Sequence, residues 1–244
     1  MIPRSIIAQS YFTRKGWGDT TTLIEEYWDK GYVVTDFDYG NGFYFVVMSK
    51  VNGWNRQKLF YGNSLPTDDI KEAWDRGYYI TNVLHDGSDW IVVMTEVDYC
   101  TTQRLFSTGV WEDFKEKIQN GWDEDMLVTK LCCEKQRFST YFAAMTEFND
   151  GSPAQSARYL SGSIIKSDLD DLFVDGKYIV DIFDFDGGAY VVTAGDTGWS
   201  SHRLFMSPSL NSTYEAIKDY WDRGYYITTI SFYDGEWILV FGNE

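Results

Sequence analysis

His85, His202, Cys100, Cys132 and Cys133 are the side chains of this 244-residue chain best suited to nucleophilic or soft-metal chemistry. A histidine beside a cysteine would take the thiol proton and leave a thiolate nucleophile. No local phrase sets up such a pair. His85 falls in the turn phrase His85-Asp-Gly-Ser88, and His202 stands where related phrases carry glutamine. Vicinal Cys132 and Cys133 would suit a soft metal or a redox sensor. They replace apolar strand residues, however, and read as buried free thiols. Asp184-Phe-Asp186-Gly-Gly has the opening of a calcium loop without its further ligands or its closing bidentate acid. The equivalent stretches, Asp38 to Gly42 and Tyr233 to Glu236, are turns between strands. Walker loops, dinucleotide fingerprints and zinc spacings are absent. The sequence therefore predicts no catalytic residue, no metal site and no cofactor.

Acids follow tryptophan at Asp29, Asp75, Asp123 and Asp222. They recur once per repeat, and structural repetition accounts for them better than catalysis, which uses one asymmetric site. What remains is the surface. Loops after apolar strands carry Trp54, Tyr99 and Trp199, with Asn52, Asn55, Asp98, Thr101, Asp196 and Ser200 close by. Aromatic rings among short polar side chains make a platform for a peptide or a sugar. The candidate binding residues are Trp54, Tyr99, Trp199, Asp98 and Asp196. The other reading, that these rings fold back over their own repeats, stays open at this point.

These residues are held by a phrase said five times. Trp-Asp-x-Gly-Tyr-Tyr-Ile-Thr begins at Trp28, Trp74, Trp122 and Trp221, with a worn copy at Phe173. Periods of this size mean supersecondary units that bury their cores against one another. In repeat 2, Pro66-Thr67-Asp68-Asp69 opens a helix, with Thr67 or Asp68 expected as N-cap. Ile70 and Trp74 share one face, as do Ile24/Trp28, Ile118/Trp122, Leu169/Phe173 and Ile217/Trp221. Gly77 is placed for a left-handed C-cap, matched by Gly31, Gly176 and Gly224. Repeat 3 has Asp125 there. The strand Tyr78 to Leu84, a turn and the strand Trp90 to Thr95 read as a hairpin. A third short strand follows, Gln103 to Phe106, echoed at Gln57 to Phe60 and at His202 to Phe205.

The chain ends after a second strand and begins with Gln9-Ser10-Tyr11-Phe12, which reads as the missing third strand. This predicts an α+β repeat protein: a closed five-unit toroid, propeller-like, each unit one helix plus a three-stranded antiparallel stretch. Its units would be 13–60, 61–106, 107–160, 161–205 and 206–244, the last closed by residues 1–12. Radial repetition of this kind protects sheet edges.

The formal net charge of −16 argues against nucleic acid or an anionic membrane as partner and leaves a basic protein surface or peptide. Three cysteines are too few and too oddly placed for a disulfide framework, so a reducing cytoplasm is expected. No signal-peptide core or membrane-length apolar run is expected either.

The phrases Trp74-Asp-Arg-Gly-Tyr-Tyr-Ile-Thr and Trp90-Ile-Val-Val-Met-Thr, joined by a turn, resemble a poorly characterised repeat module. That module occurs at the C-terminus of plant casein-kinase-1-like kinases and in bacterial proteins beside caspase-like peptidases or kinases. Repeats 1, 2 and 5 match it best. Repeats 3 and 4 depart from it at Asp125, Met126 and Phe173. The resemblance implies an accessory, protein-binding module and supplies no catalytic residues. The expected function is thus a non-enzymatic protein or peptide scaffold. The alternatives are a multivalent lectin-like propeller and, more distantly, a Cys/His enzyme that modifies guanidines.

Overall fold

The computed structural model describes residues 5–134, 140–149, 153–164, 166–173, 177–185, 187–195 and 197–243. Each repeat runs strand, helix, strand, strand. Repeat 1 is β1 (Ile6–Arg14), α1 (Trp17–Trp28), β2 (Val33–Gly40) and β3 (Phe43–Val51). Repeat 2 is β4 (Trp54–Gly62), α2 (Thr67–Trp74), β5 (Tyr78–His85) and β6 (Trp90–Val97). Repeat 3 is β7 (Cys100–Thr108), α3 (Trp111–Asp123), β8 (Leu127–Glu134) and β9 (Thr140–Phe148). Repeat 4 is β10 (Gln155–Ser161), α4 (Lys166–Asp170) with a 3-10 turn Asp171–Phe173, β11 (Lys177–Phe185) and β12 (Gly188–Gly195). Repeat 5 is β13 (Ser201–Ser207), α5 (Leu210–Asp222), β14 (Tyr226–Tyr233) and β15 (Glu236–Asn243). Among the described residues the sheets are five, each three-stranded and antiparallel, with the last strand of each repeat in the middle.

The seam expected between the termini is not formed. β1 pairs along β3 of its own repeat, Gln9 opposite Ser49 and Phe12 opposite Val46. The last sheet is completed by β13, with His202 opposite Gly242. The Gln-Lys-Leu-Phe type of strand therefore opens its repeat and precedes the helix, so the expected unit boundaries shift by one strand.

Two compact units divide the chain, residues 53–155 and residues 2–52 with 156–244. In the first, α2 lays Ile70 and Ala73 on β5 and β6, and Cys132, Phe142 and Ala144 from repeat 3 complete the same apolar cluster. In the second, Phe45 and Val47 of β3 join Ile217, Ile227, Trp237 and Phe241 of repeat 5. α2, α4 and α5 thus each serve a core that two repeats share, as expected of units too small to bury one alone.

The helix ends follow local chemistry. Gly31, Gly77 and Gly224 take positive φ values of 77°, 78° and 80°, and Asp125 takes the same left-handed place at 60°. Gly176 and Asp186 lie outside the described residues. The cap of α2 differs from expectation. Pro66 holds the N-cap position with no side-chain bond, and Thr67 and Asp68 lie inside the first turn. Repeat 4, where Phe173 replaces tryptophan, keeps only five residues of α-helix before the 3-10 turn.

The second strand of every repeat carries a register shift at the same place: Val34/Asp36, Ile80/Asn82, Val128/Lys130, Ile179/Asp181 and Ile227/Thr229. In repeats 1, 2, 3 and 5 the threonine of the repeated phrase is the extra residue, and in repeat 4 it is Val180. Thr35, Thr81 and Thr129 meet Ser49, Thr95 and Thr146 on the middle strand at 2.8, 2.8 and 3.1 Å. Bulges of this kind re-aim a strand, and here the re-aimed residues tie neighbouring sheets together. Asp36 and Asp38 accept from the backbone N–H groups of Ile230 and Phe232 at 2.8 and 2.6 Å. Thr229 and Ser231 donate to the carbonyls of Val180 and Ile182 at 3.1 and 3.2 Å.

Gly40 lies at the same junction of β2 with β14. A Cβ there would collide with the Phe232 ring. Gly40→Ala is expected to cost about 1–3 kcal/mol by overpacking, read as a lower urea midpoint at unchanged slope. An unaltered midpoint would show that the two strands are not held in contact. No described helix is long and apolar enough to cross a membrane.

Candidate functional site

The expected aromatic rim does not form as a platform. Trp54 is 5 % exposed and Trp199 is 4 % exposed. Trp54 opens β4 opposite Val97, and its indole N–H donates to the hydroxyl of Tyr99. Tyr99 is half-buried and stacks on Phe148 with centroids 6.1 Å apart. Asp98 is exposed and accepts from Asn55 at 3.1 Å. Trp199 lies over the backbone of Gly242, where an added Cβ would sit 2.6 Å from the indole. Asp196 lies outside the described residues. The structure thus brings Trp54, Tyr99 and Asp98 together, but it seals the tryptophans inside, because each ring covers a strand end that would otherwise be wet.

The histidines and cysteines are structural in their surroundings. His85 ends β5, accepts at Nδ1 from the Gly87 N–H at 3.2 Å and packs edge-on to Trp90. Cys100 and Cys132 are buried and Cys133 is half-buried, all three as thiols. Among the described residues no three His, Cys, Asp or Glu side chains gather as a metal site.

His202 has a sharper meaning. In other repeats its position is glutamine, and Gln9, Gln103 and Gln155 each reach the helix of a neighbouring repeat. Gln103 Oε1 accepts from Trp74 Nε1 at 3.0 Å and from the Ile80 N–H at 2.6 Å, and its Nε2 donates to the Ile80 carbonyl at 2.9 Å. Gln155 makes the same three bonds to Trp122 and Val128, and Gln9 makes them to Trp221 and Ile227. Where repeat 4 meets repeat 5 both partners changed: the tryptophan of the repeat 4 helix is Phe173 and the glutamine of β13 is His202. The polar bridge became an aromatic box, with Tyr178, Phe173 and Trp199 at centroid distances of 4.1, 6.0 and 6.5 Å from the imidazole. Neither ring nitrogen has a hydrogen-bond partner among the described residues. Burial pushes the imidazole down to about 3, since a charged ring could not be solvated there.

Sequence reasoning missed a cleft of about 480 Å³ in the unit of residues 53–155. Trp74, Leu105, Phe106, Met126 and Met145 form its apolar walls. Arg104, Lys117, Asn120 and Glu124 stand at its mouth, and Gly121 of α3 supplies bare backbone. Arg104 pairs with Glu124 at 2.5 Å, both more than half exposed, and Lys117 lies 5.9 Å from the Phe106 ring centre. The size and the mixture of an apolar floor with a few polar groups are those of a ligand site. Its signal in the sequence was Gly121, where repeats 1 and 5 carry Tyr27 and Tyr220, and Met126, where repeats 1, 2 and 5 carry Tyr32, Tyr78 and Tyr225.

The frame and cleft define a repeat protein of three-stranded sheets with an open ligand-sized recess in the 53–155 unit. A family model described as "Domain of unknown function (DUF7477)" matches residues 6–105, the first two repeats and the start of β7. No curated protein and no solved structure matches the chain.

Proposed function

We propose that the chain is a non-enzymatic module that binds a protein or peptide, serving as an accessory scaffold. The cleft of the 53–155 unit carries this reading. It offers apolar walls at a polar, exposed mouth, which is the anatomy of a recognition pocket. The resemblance to modules that accompany kinases and caspase-like peptidases supports it. So does the chemistry of the repeated polar residues, whose hydrogen bonds are spent on the frame. The charge of −16 favours a partner segment that carries some basic residues. Three cysteines kept as thiols accord with a reducing cytoplasmic setting.

The test is selection from a random peptide display library on the purified chain, followed by titration of the enriched peptides. Saturable binding that weakens with added salt is expected, since exposed charges are screened over about 8 Å at physiological ionic strength. Absence of any enriched peptide, together with saturable signals on a glycan array, would replace this reading by the lectin.

A further inference from the structure

We propose, resting on the interaction-module reading, that the cleft of repeat 3 receives an aromatic side chain, tyrosine or phenylalanine, from a partner polypeptide. The protein itself provides the template. In repeat 1, Tyr27 of α1 stacks on Phe12 with centroids 5.8 Å apart. It meets Tyr32 edge-on at 5.4 Å and shares a 2.8 Å hydrogen bond with the Ser10 hydroxyl. In repeat 5 the same helix position is Tyr220, stacked on Phe241 at 4.4 Å and edge-on to Tyr225 at 5.8 Å. In repeat 3 that position is Gly121.

The wall around the missing ring is kept. Phe106, Arg104 and Met126 hold the repeat positions of Phe12, Ser10 and Tyr32. Met145, opposite Arg104, holds the position of Phe241, opposite Arg203. All four line the cleft with Gly121. The recess is therefore the nest of a tyrosine with the tyrosine removed and the outer side open. The second ring is gone as well. Lys58 sits over Tyr78 at 4.8 Å and Arg203 over Tyr225 at 5.7 Å. Arg104 occupies the same place, but its tyrosine is Met126, so it turns to Glu124. Repeat 2 is intermediate, with Ala73 in the helix but Tyr78 retained.

An incoming ring would find the Phe106 face, two thioethers and a guanidinium, each a favourable aromatic contact. Part of the Gly121 space is taken by the end of Met145, whose Sδ and Cε would lie 2.5 Å from a Cβ there. That flexible end can yield to a ligand. The room argues for a polypeptide over a free aromatic. A cavity of about 150 Å³ already holds benzene, and this one is about 480 Å³. The surplus opens among Lys117, Asn120 and Glu124, which offer donors and an acceptor to a main chain.

The experiment uses the full chain with methyl-labelled methionines, titrated with blocked Gly-Gly-Tyr-Gly-Gly, its Ala counterpart and p-cresol. The Tyr peptide should shift the Met126 and Met145 methyl signals saturably at millimolar concentration and leave Met48, Met94 and Met206 in place. The Ala peptide should not. Phe106→Leu, which removes the counterpart of the face that stacks on Tyr27 in repeat 1, should weaken the response at least tenfold while the chain stays folded. Gly121→Tyr should abolish it. Equal shifts with the Ala peptide, or none, would overturn the proposal, and so would binding of p-cresol without the Tyr peptide. A silent cleft in a chain that still binds library-selected peptides would remove this proposal alone. A chain that binds no polypeptide would remove the interaction reading as well.

Discussion

Gln103→Leu should lower stability by about 3–5 kcal/mol, more than any change at the exposed face of the same strand. The side chain of Gln103 is 8 % exposed and uses its full hydrogen-bonding capacity. Its oxygen accepts from Trp74 and Ile80, and its nitrogen donates to the Ile80 carbonyl and to Thr146 Oγ1, the last at 2.8 Å. Leucine keeps the volume and abandons the partners. Each buried group left unsatisfied costs about 1–3 kcal/mol. Water can reach the half-buried Trp74 indole, but Ile80 is fully buried, so its N–H and carbonyl would lose the partners that Gln103 gives them. Lys58→Ala, at an exposed site, should cost less than about 1 kcal/mol. Denaturant titration of both variants is the check. A loss under about 1 kcal/mol for Gln103→Leu would mean that the glutamine bridge is incidental to the joining of repeats.

That bridge also explains what the sequence could and could not reveal. The period, the helix stripe, the hairpins and the left-handed helix ends were all legible, because each is a local rule repeated. The assignment of the third strand was not. A period is the same wherever it is cut, and the glutamine strand truly serves two repeats. The side chain of Gln9 bonds to Trp221 and Ile227 of repeat 5, while its backbone pairs with Ser49 of repeat 1. The sequence phrase records the first relation and hides the second. Trp54 and Trp199 misled for a related reason. Polar neighbours suggested exposed loops, but Trp54 begins the next edge strand and Trp199 covers Gly242. The cleft was written as Gly121 and Met126, departures that become informative only once repeat 1 shows what stood around the absent ring.

Repeat 4, where the bridge is replaced, should make the protein acid-sensitive. His202 is 7 % exposed in its aromatic box, and burial pushes its imidazole down to about 3. In the unfolded chain it titrates near 6.5. Above that value neither state holds the proton. Between about 6.5 and 3 the unfolded state binds it and the folded state does not, so falling pH favours unfolding. Below about 3 both are protonated and the effect stops growing. The whole span is worth about 4–5 kcal/mol. Groups facing the ring are Tyr178 of β11, Phe173 of the 3-10 turn and Trp199 ahead of β13, none of which offers a charge to offset an imidazolium. The comparison is with the double variant Phe173→Trp/His202→Gln, which restores the pair that Trp74 and Gln103 form. Carboxylates titrate in both proteins and cancel in the difference. Urea midpoints measured from pH 7 to pH 4 should fall more steeply for the native chain, by about 3 kcal/mol over that range. The double variant should also regain stability at pH 7, by about 1 kcal/mol for each hydrogen bond remade. Parallel pH profiles would place a charge or water beside His202 and end the reading of repeat 4 as an apolar substitute for the bridge.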